Sequence, residues 1–198
     1  MKKLVIVGAS GHGKVIADIA VKNGYEEIVF LDDNPMLKEC AGFPVVGKTS
    51  LATEIEGDKI VAIGNAEIRE KIQSKIDTVT LIHPDAVISR RVEIGKGTVV
   101  MAGAVVNSDV EIGRGCIINT CASVDHECVI RDYVHISVGV HVAGNCLIGN
   151  KTWLGVGASV SNNVKICSNC TIGAGAVVVN NITLSGVYIG IPAKESKK

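Results

Sequence analysis

The chain has 198 residues, with 20 basic and 20 acidic side chains and 47% hydrophobic residues. That is enough for one large domain or two modest ones, and the balanced charge argues against a nucleic-acid or anionic-membrane surface. Met1, Lys2 and Lys3 precede only four apolar residues before Gly8, too few for the core of a signal peptide, and no later stretch reaches membrane length.

Residues 3–7 form an apolar run of strand length that ends in Gly8-Ala9-Ser10-Gly11-His12-Gly13. A helical pattern follows, with Val15, Ile16, Ile19 and Ala20 on one face and Asn23-Gly24 as the stop. A second strand, residues 27–31, ends in Asp32-Asp33-Asn34-Pro35. This is a βαβ opening with a glycine-rich first turn and acids at the tip of the second strand. Its G-x-x-G-x-G spacing departs from the dinucleotide fingerprint, yet the physics is the same: glycines let backbone N–H groups approach a phosphate at a helix N-terminus, where the dipole favours anions. Asp32 is placed to accept hydrogen bonds from a ribose or a base. The competing reading is that the glycines only make a tight turn and the acids only cap it.

Residues up to Thr49 read as loop, and Ser50 caps a short helix through Ile55. A third strand over 59–63 ends at Gly64-Asn65, a helix over 66–76 carries Ile68, Ile72 and Ile76, and a fourth strand covers 78–81. The expected first domain is therefore a small open parallel sheet with helices, residues 1–81.

From Ile82 to Val178, every sixth residue is Ile, Val or Leu without a miss. With these residues making up about a third of the region, chance gives odds on the order of one in a hundred million. The position four later is small or β-branched throughout, from Ala86 to Ala176 and Ile182. A six-residue period is the signature of a parallel β-helix in which three hexapeptides make one triangular coil. Successive coils stack at strand spacing, about 4.7 Å. Such hexapeptide prisms are of the left-handed kind, an exception to the usual right-handed crossover. This second domain runs over residues 82–184, and 185–198 is a C-terminal extension whose charged end, from Glu195, is expected to fray.

Four of the seven cysteines (Cys116, Cys128, Cys146, Cys170) occupy the small inward position as compact hydrophobes. An odd cysteine count fits a reducing compartment, so a cytoplasmic location is expected. Cys167 and Cys170 have CxxC spacing, but with Cys170 inward and Cys167 facing out or into a corner a shared metal or redox disulfide is not expected.

Residues eighteen apart stack, which turns the prism into a contact map. Gly155 and Gly173 fall in one column with Ser137, and Val156 and Ala174 in the next. Aligned glycines leave a strip of bare backbone suited to an amide-containing ligand such as the pantetheine arm of coenzyme A, unless glycine is there only because corners favour it. Asp125, His126 and Glu127 fall at a corner, where side chains reach solvent. A histidine flanked by carboxylates suits a general base, worth about 10²- to 10⁴-fold in rate. His135 and His141 lie on neighbouring faces and do not converge with His126, so no metal site is expected within one chain.

The glycine-rich turn at Gly8 to Gly13, the strand end Phe30-Leu31-Asp32-Asp33, Ala62-Ile63-Gly64-Asn65, Asn119-Thr120, His126-Glu127-Cys128-Val129-Ile130, His135-Ile136-Ser137-Val138-Gly139 and the closing Gly190-Ile191-Pro192-Ala193-Lys194 together resemble the NeuD/PglD family of sugar acyltransferases. The resemblance implies a homotrimer that uses acetyl-CoA and a nucleotide sugar, without a metal or an acyl-enzyme. It implies N-acetylation of the 4-amino group of a UDP-linked 4-amino-4,6-dideoxy-N-acetyl hexose, with His126 as general base supported by Glu127. Ser10, Gly11, His12, Asp32, Asp33 and Gly64 would hold the nucleotide sugar. His135, Val156 and Ala174, beside Gly155 and Gly173, would line the coenzyme A groove between prisms. The same family includes sialic acid O-acetyltransferases, the alternative reading. A non-catalytic nucleotide-sugar scaffold is a third.

Overall fold

The computed structural model describes residues 2–196. The chain divides into two compact units, residues 1–84 and 85–198. No helix among the described residues is long and apolar enough to cross a membrane.

In the first unit, strand β1 (Lys3–Val7) pairs in parallel with both β2 (Glu27–Leu31) and β5 (Asp58–Val61). Helix α1 (Gly11–Lys22) is the crossover from β1 to β2. Two short strands, β3 (Glu39–Cys40) and β4 (Phe43–Gly47), extend the sheet to the order β3-β4-β2-β1-β5 where only loop is expected from sequence. The reason is local: Gly42 at φ 80 and Ala41 at φ 52 turn the chain back on itself. One face of the sheet (Val5, Val7, Val29, Leu31, Val61) packs against Leu51, Ile55, Ile72 and Ile76. The short helix after β4 is a 3₁₀ turn over Thr49–Thr53, and helix α2 (Ala66–Gln73) is shorter than its apolar spacing suggests. The expected fourth strand does not form at 78–80; the backbone bond from Val79 N–H to Lys59 O, at 2.9 Å, ties that segment to the edge of β5.

The second unit is a solenoid of two-residue strands recurring every six residues, from Val87–Ile88 to Val177–Val178, stacked into three parallel sheets. The register is eighteen residues, as in Ser123 over His141 and His135 over Trp153. The aliphatic ladder fills the prism: Ile118, Ile136, Ile148, Leu154, Ile166 and Ile172 are all at 0% exposure. Thr98 and Thr152 stand at the small inward position with both hydrogen-bonding roles met, Thr152 Oγ1 donating to Cys167 O (3.0 Å) and accepting from Cys170 N (3.3 Å).

A second six-residue ladder is written in the backbone. Residues 97, 103, 109, 115, 121, 127, 133, 139, 145, 151, 157, 163, 169 and 175 all have φ between 56° and 73°, the left-handed conformation that turns each corner. Glycine and asparagine take many of these places at little cost, but Cys121, Glu127, Tyr133 and Lys151 do so against their intrinsic preference.

Beyond the repeat, Val187–Ile189 adds in parallel to Thr171–Ile172, and Lys194–Glu195 pairs back onto it antiparallel. The tail expected to fray from Glu195 is thus ordered through that residue by backbone pairing; residues 197 and 198 lie outside the described part.

Candidate active site

His126 sits on the edge between the strands Ser123–Val124 and Val129–Ile130. Glu127 is one of the left-handed corner residues, at φ 56. The turn brings its carboxylate back onto its neighbour, and His126 Nδ1 lies 3.0 Å from Glu127 Oε2. A carboxylate only accepts, so Nδ1 carries the ring proton in neutral histidine and Nε2 is left as the basic nitrogen. Nε2 makes no hydrogen bond to any described residue. The pair is open to solvent, with side-chain exposures of 52% and 65%. The backbone N–H of His126 donates to Asp125 Oδ1 (2.8 Å), which also accepts from Asn107 Nδ2 (2.8 Å). Donation by Asn107, and then by the His126 amide, holds the Asp125 carboxyl below the usual carboxylate range. Sequence reasoning places Asp125 beside His126 but does not single out Asn107; the eighteen-residue register that joins the two was the available signal.

The other candidate residues of the solenoid lie along a different edge. His135 stacks on Trp153 with ring centroids 6.1 Å apart and an interplanar angle of 13°. Asn119 Nδ2 is 3.2 Å from His135 Nε2, and Trp153 Nε1 donates to Ser137 Oγ at 2.7 Å. Trp153 is missed by motif reasoning, although its place one coil from His135 was legible. The bare-backbone argument for Gly155 and Gly173 needs correction. Their N–H groups are already spent, on Ile172 O (2.7 Å) and Tyr188 O (2.8 Å). They lack side chains because a Cβ on Gly155 would come within 2.7 Å of Ala174 N, and one on Gly173 within 2.7 Å of Ile189 Cγ2. The free donors belong to the adjacent column: the amides of Val138, Val156 and Ala174 bond to no described residue. His141 is on another face, its Nδ1 2.8 Å from Ser123 Oγ, and no group of three metal-ligating side chains occurs among the described residues.

The CxxC pair differs from expectation. Cys170 is buried and Cys167 partly exposed, yet their sulfurs are 3.4 Å apart. Asn169 at φ 59 folds the turn so that the two side chains converge, and burial with the neighbouring Cys167 pushes the Cys170 thiol up to about 12.

In the first unit, the β1–α1 turn sorts its glycines by purpose. Gly8 has φ 111 and a Cβ there would meet Ala62 O at 2.8 Å; one on Gly13 would collide with Gly8 O and the Phe30 ring. These two are demanded by the fold. A Cβ on Gly11 or Gly64 would meet nothing within 4 Å, so nothing in the protein requires their bareness. Ser10 caps α1 with backbone only, and no acidic residue occupies the first turn. That leaves a positive helix end with no side-chain cap or acid of its own, beside open space. Asp32 and Asp33 are more occupied than expected: Asp32 accepts from Ala9 N (2.8 Å) and Asn34 N (2.9 Å), Asp33 from Thr49 N and Oγ1 (both 3.0 Å). Their first role is to brace the turn, with lone pairs remaining for a ligand.

His12 has its Nε2 fully buried and unpartnered among the described residues. Burial first, and the nearby Arg69 guanidinium second, lower its pKa to about 4. Arg69 is itself buried and donates to Ile63 O and Gly64 O, both at 2.8 Å. Sequence reasoning missed Arg69 because an arginine on the polar side of a short helix normally reads as solvated.

Residues 3–76 match the PglD N-terminal domain family, and residues 91–126 and 145–180 match the bacterial transferase hexapeptide family of six repeats. The structure superposes on the acetyltransferase domain of PglB from Neisseria gonorrhoeae FA1090, solved with acetyl coenzyme A, at a TM-score of 0.95 and 43% identity, over 98% of this chain and 99% of that one. The chain belongs to the PglD-type hexapeptide acetyltransferases. PerB from Caulobacter crescentus, solved with CoA and GDP-perosamine, matches over 100% of this chain and 98% of its own at 35% identity and a TM-score of 0.93. A curated relative, the UDP-N-acetylbacillosamine N-acetyltransferase of Bacillus subtilis (strain 168), is 35% identical over 113 residues, 52% of this chain and 52% of that protein. The match therefore spans about half the length of that relative. As a PglD-type acetyltransferase, the chain is an acyl-transfer enzyme.

Proposed function

We propose that this protein transfers the acetyl group of acetyl-CoA to the 4-amino group of a UDP-linked 4-amino-4,6-dideoxy-N-acetyl hexose. The observation that carries the reading is His126, with Nδ1 on Glu127 and Nε2 free at a solvent-open edge. The neutral sugar amine attacks the thioester carbonyl, and His126 Nε2 accepts the proton the nitrogen sheds. The tetrahedral oxyanion collapses, the C–S bond breaks, and the proton passes from His126 to the departing thiolate. Glu127 keeps the ring in the required tautomer and stabilises the imidazolium formed on the way. No acyl-enzyme is needed, and the inward thiol of Cys128, its pKa raised by the hydrogen bond with Cys146 and then by burial, is unsuited to form one.

The free amides of Val156 and Ala174 suit the pantetheine arm, whose carbonyls need donors, and Trp153 stacked on His135 offers an apolar wall beside them. Val156 follows the strand Trp153–Leu154, whereas His126 follows Ser123–Val124, so base and donor column stand on different edges of one prism. This supports a homotrimer in which each site draws one edge from each of two prisms. In the first unit, the α1 N-terminus, without a side-chain cap and with open space at Gly11 and Gly64, suits a diphosphate. The relatives act on or bind different nucleotides, UDP in the Bacillus name and GDP in the Caulobacter complex, and the overall motif resemblance favours uridine.

The test is thiol release from acetyl-CoA in the presence of a UDP-4-amino sugar. His126→Ala is expected to lower kcat/KM by about 10²- to 10⁴-fold; wild-type turnover by the variant would end the reading. A thermal shift with UDP but not GDP or CMP-sialic acid is expected, and the reverse pattern would reassign the acceptor.

A further inference from the structure

Gly144 lies one coil beyond His126, held there by the Asn145 N–H bond to His126 O (2.9 Å). A Cβ built on Gly144 would stand 2.6 Å from both Cε1 and Nε2 of His126 and 3.2 Å from Cδ2. The edge of the imidazole that carries its basic nitrogen therefore rests against the bare α-carbon of Gly144. The backbone gives no other reason for glycine here, since Gly144 is not among the positive-φ residues. The glycines one place earlier in the repeat are bare for a different cause: a Cβ on Gly95, Gly113, Gly149 or Gly155 would strike backbone atoms of the next coil. At Gly144 the three nearest atoms all belong to one side chain, that of His126.

We propose that Gly144 is a positioning residue: its missing side chain makes the floor on which the His126 imidazole lies. The inference rests on His126 being the general base. Three contacts then define the ring. Glu127 fixes Nδ1 at 3.0 Å, Gly144 sets how far the Nε2 edge can drop toward the next coil, and Asp125, braced by Asn107, anchors the amide from which the side chain springs. A methyl group at 144 leaves the coil intact, because the group in its way is a rotatable side chain and not backbone. The ring has to swing, which lifts Nε2 and lengthens the bond to Glu127. Misplacement of a reacting group by about 1 Å costs on the order of 10²-fold in rate.

Gly144→Ala is expected to fold with a melting temperature close to wild type, to keep the KM for acetyl-CoA, and to lose about 10²-fold in kcat. In a His126→Ala background the same substitution is expected to cost nothing further, since there is no ring left to displace. The imidazole itself supplies a readout independent of turnover. The Cε1–H resonance of His126, identified by its loss in His126→Ala, should move in Gly144→Ala, while those of the other histidines, of five in the chain, stay in place. Wild-type kcat in Gly144→Ala, an unmoved His126 resonance, or an equal further loss in the His126→Ala background would each overturn the proposal. Full activity of His126→Ala would instead overturn the base assignment, which the single variant reports separately.

Discussion

His12 offers a quantitative test of how the first unit is built. The unfolded chain protonates a histidine near 6.5, whereas in the folded protein burial and Arg69 hold His12 neutral down to about 4. Between those values the unfolded state binds more protons, so stability rises with pH; the contribution is complete above 6.5 and is lost as the pH falls toward 4. Linkage over this interval gives a loss of about 2 kcal/mol by pH 5 and about 3 kcal/mol by pH 4. The perturbation is His12→Asn, which cannot titrate. The measurement is urea unfolding followed by far-ultraviolet circular dichroism at several pH values from 7 to 4, with the first transition analysed separately if the two units unfold apart. The variant is expected to be flatter than wild type by that amount, whatever its stability at pH 7. Parallel pH dependence in the two proteins would show that the ring is solvated, and the account of an enclosed, orphaned Nε2 would be wrong.

Gly8→Ala is expected to destabilise the protein by about 1–3 kcal/mol, because it needs φ 111 and meets Ala62 O. Gly11→Ala should leave stability unchanged or slightly raised but weaken UDP binding at least tenfold, about 1.4 kcal/mol; isothermal titration that finds unchanged affinity would mean the space beside α1 holds nothing. Trp153 is the one tryptophan of the chain, half-exposed at 49%, so acetyl-CoA is expected to change its emission and UDP alone is not. Incubation with glutathione disulfide should join Cys167 to Cys170 with release of two glutathione thiols, seen as the loss of two hydrogens from the peptide that carries them. Persistence of two alkylatable thiols in that peptide would refute the 3.4 Å approach of the sulfurs.

Much of this architecture can be read without coordinates. The unbroken six-residue ladder of Ile, Val and Leu specifies which side chains fill the prism, and counting by eighteen specifies which residues stack, because parallel in-register coils leave no freedom in that correspondence. His126 beside Glu127 and the glycine turn before α1 are equally local, and they were legible for that reason. What the ladder does not contain is the direction of a corner side chain. That depends on the left-handed residues at the corners: they turn Glu127 onto His126 and bring the sulfur of the partly exposed Cys167 to that of the buried Cys170. Nor does spacing say whether a donor is free. The Gly155 and Gly173 amides look available in sequence and are consumed by the ladder, while those of Val156 and Ala174 one residue later are not. Asp32 shows the same limit, since a carboxylate at a strand tip serves the turn before it serves a ligand. Composition and periodicity determined the solenoid. The repeat stacks Gly144 on His126, but only the packed structure decided that the imidazole lies on it, because that contact depends on a side-chain rotamer the repeat does not encode.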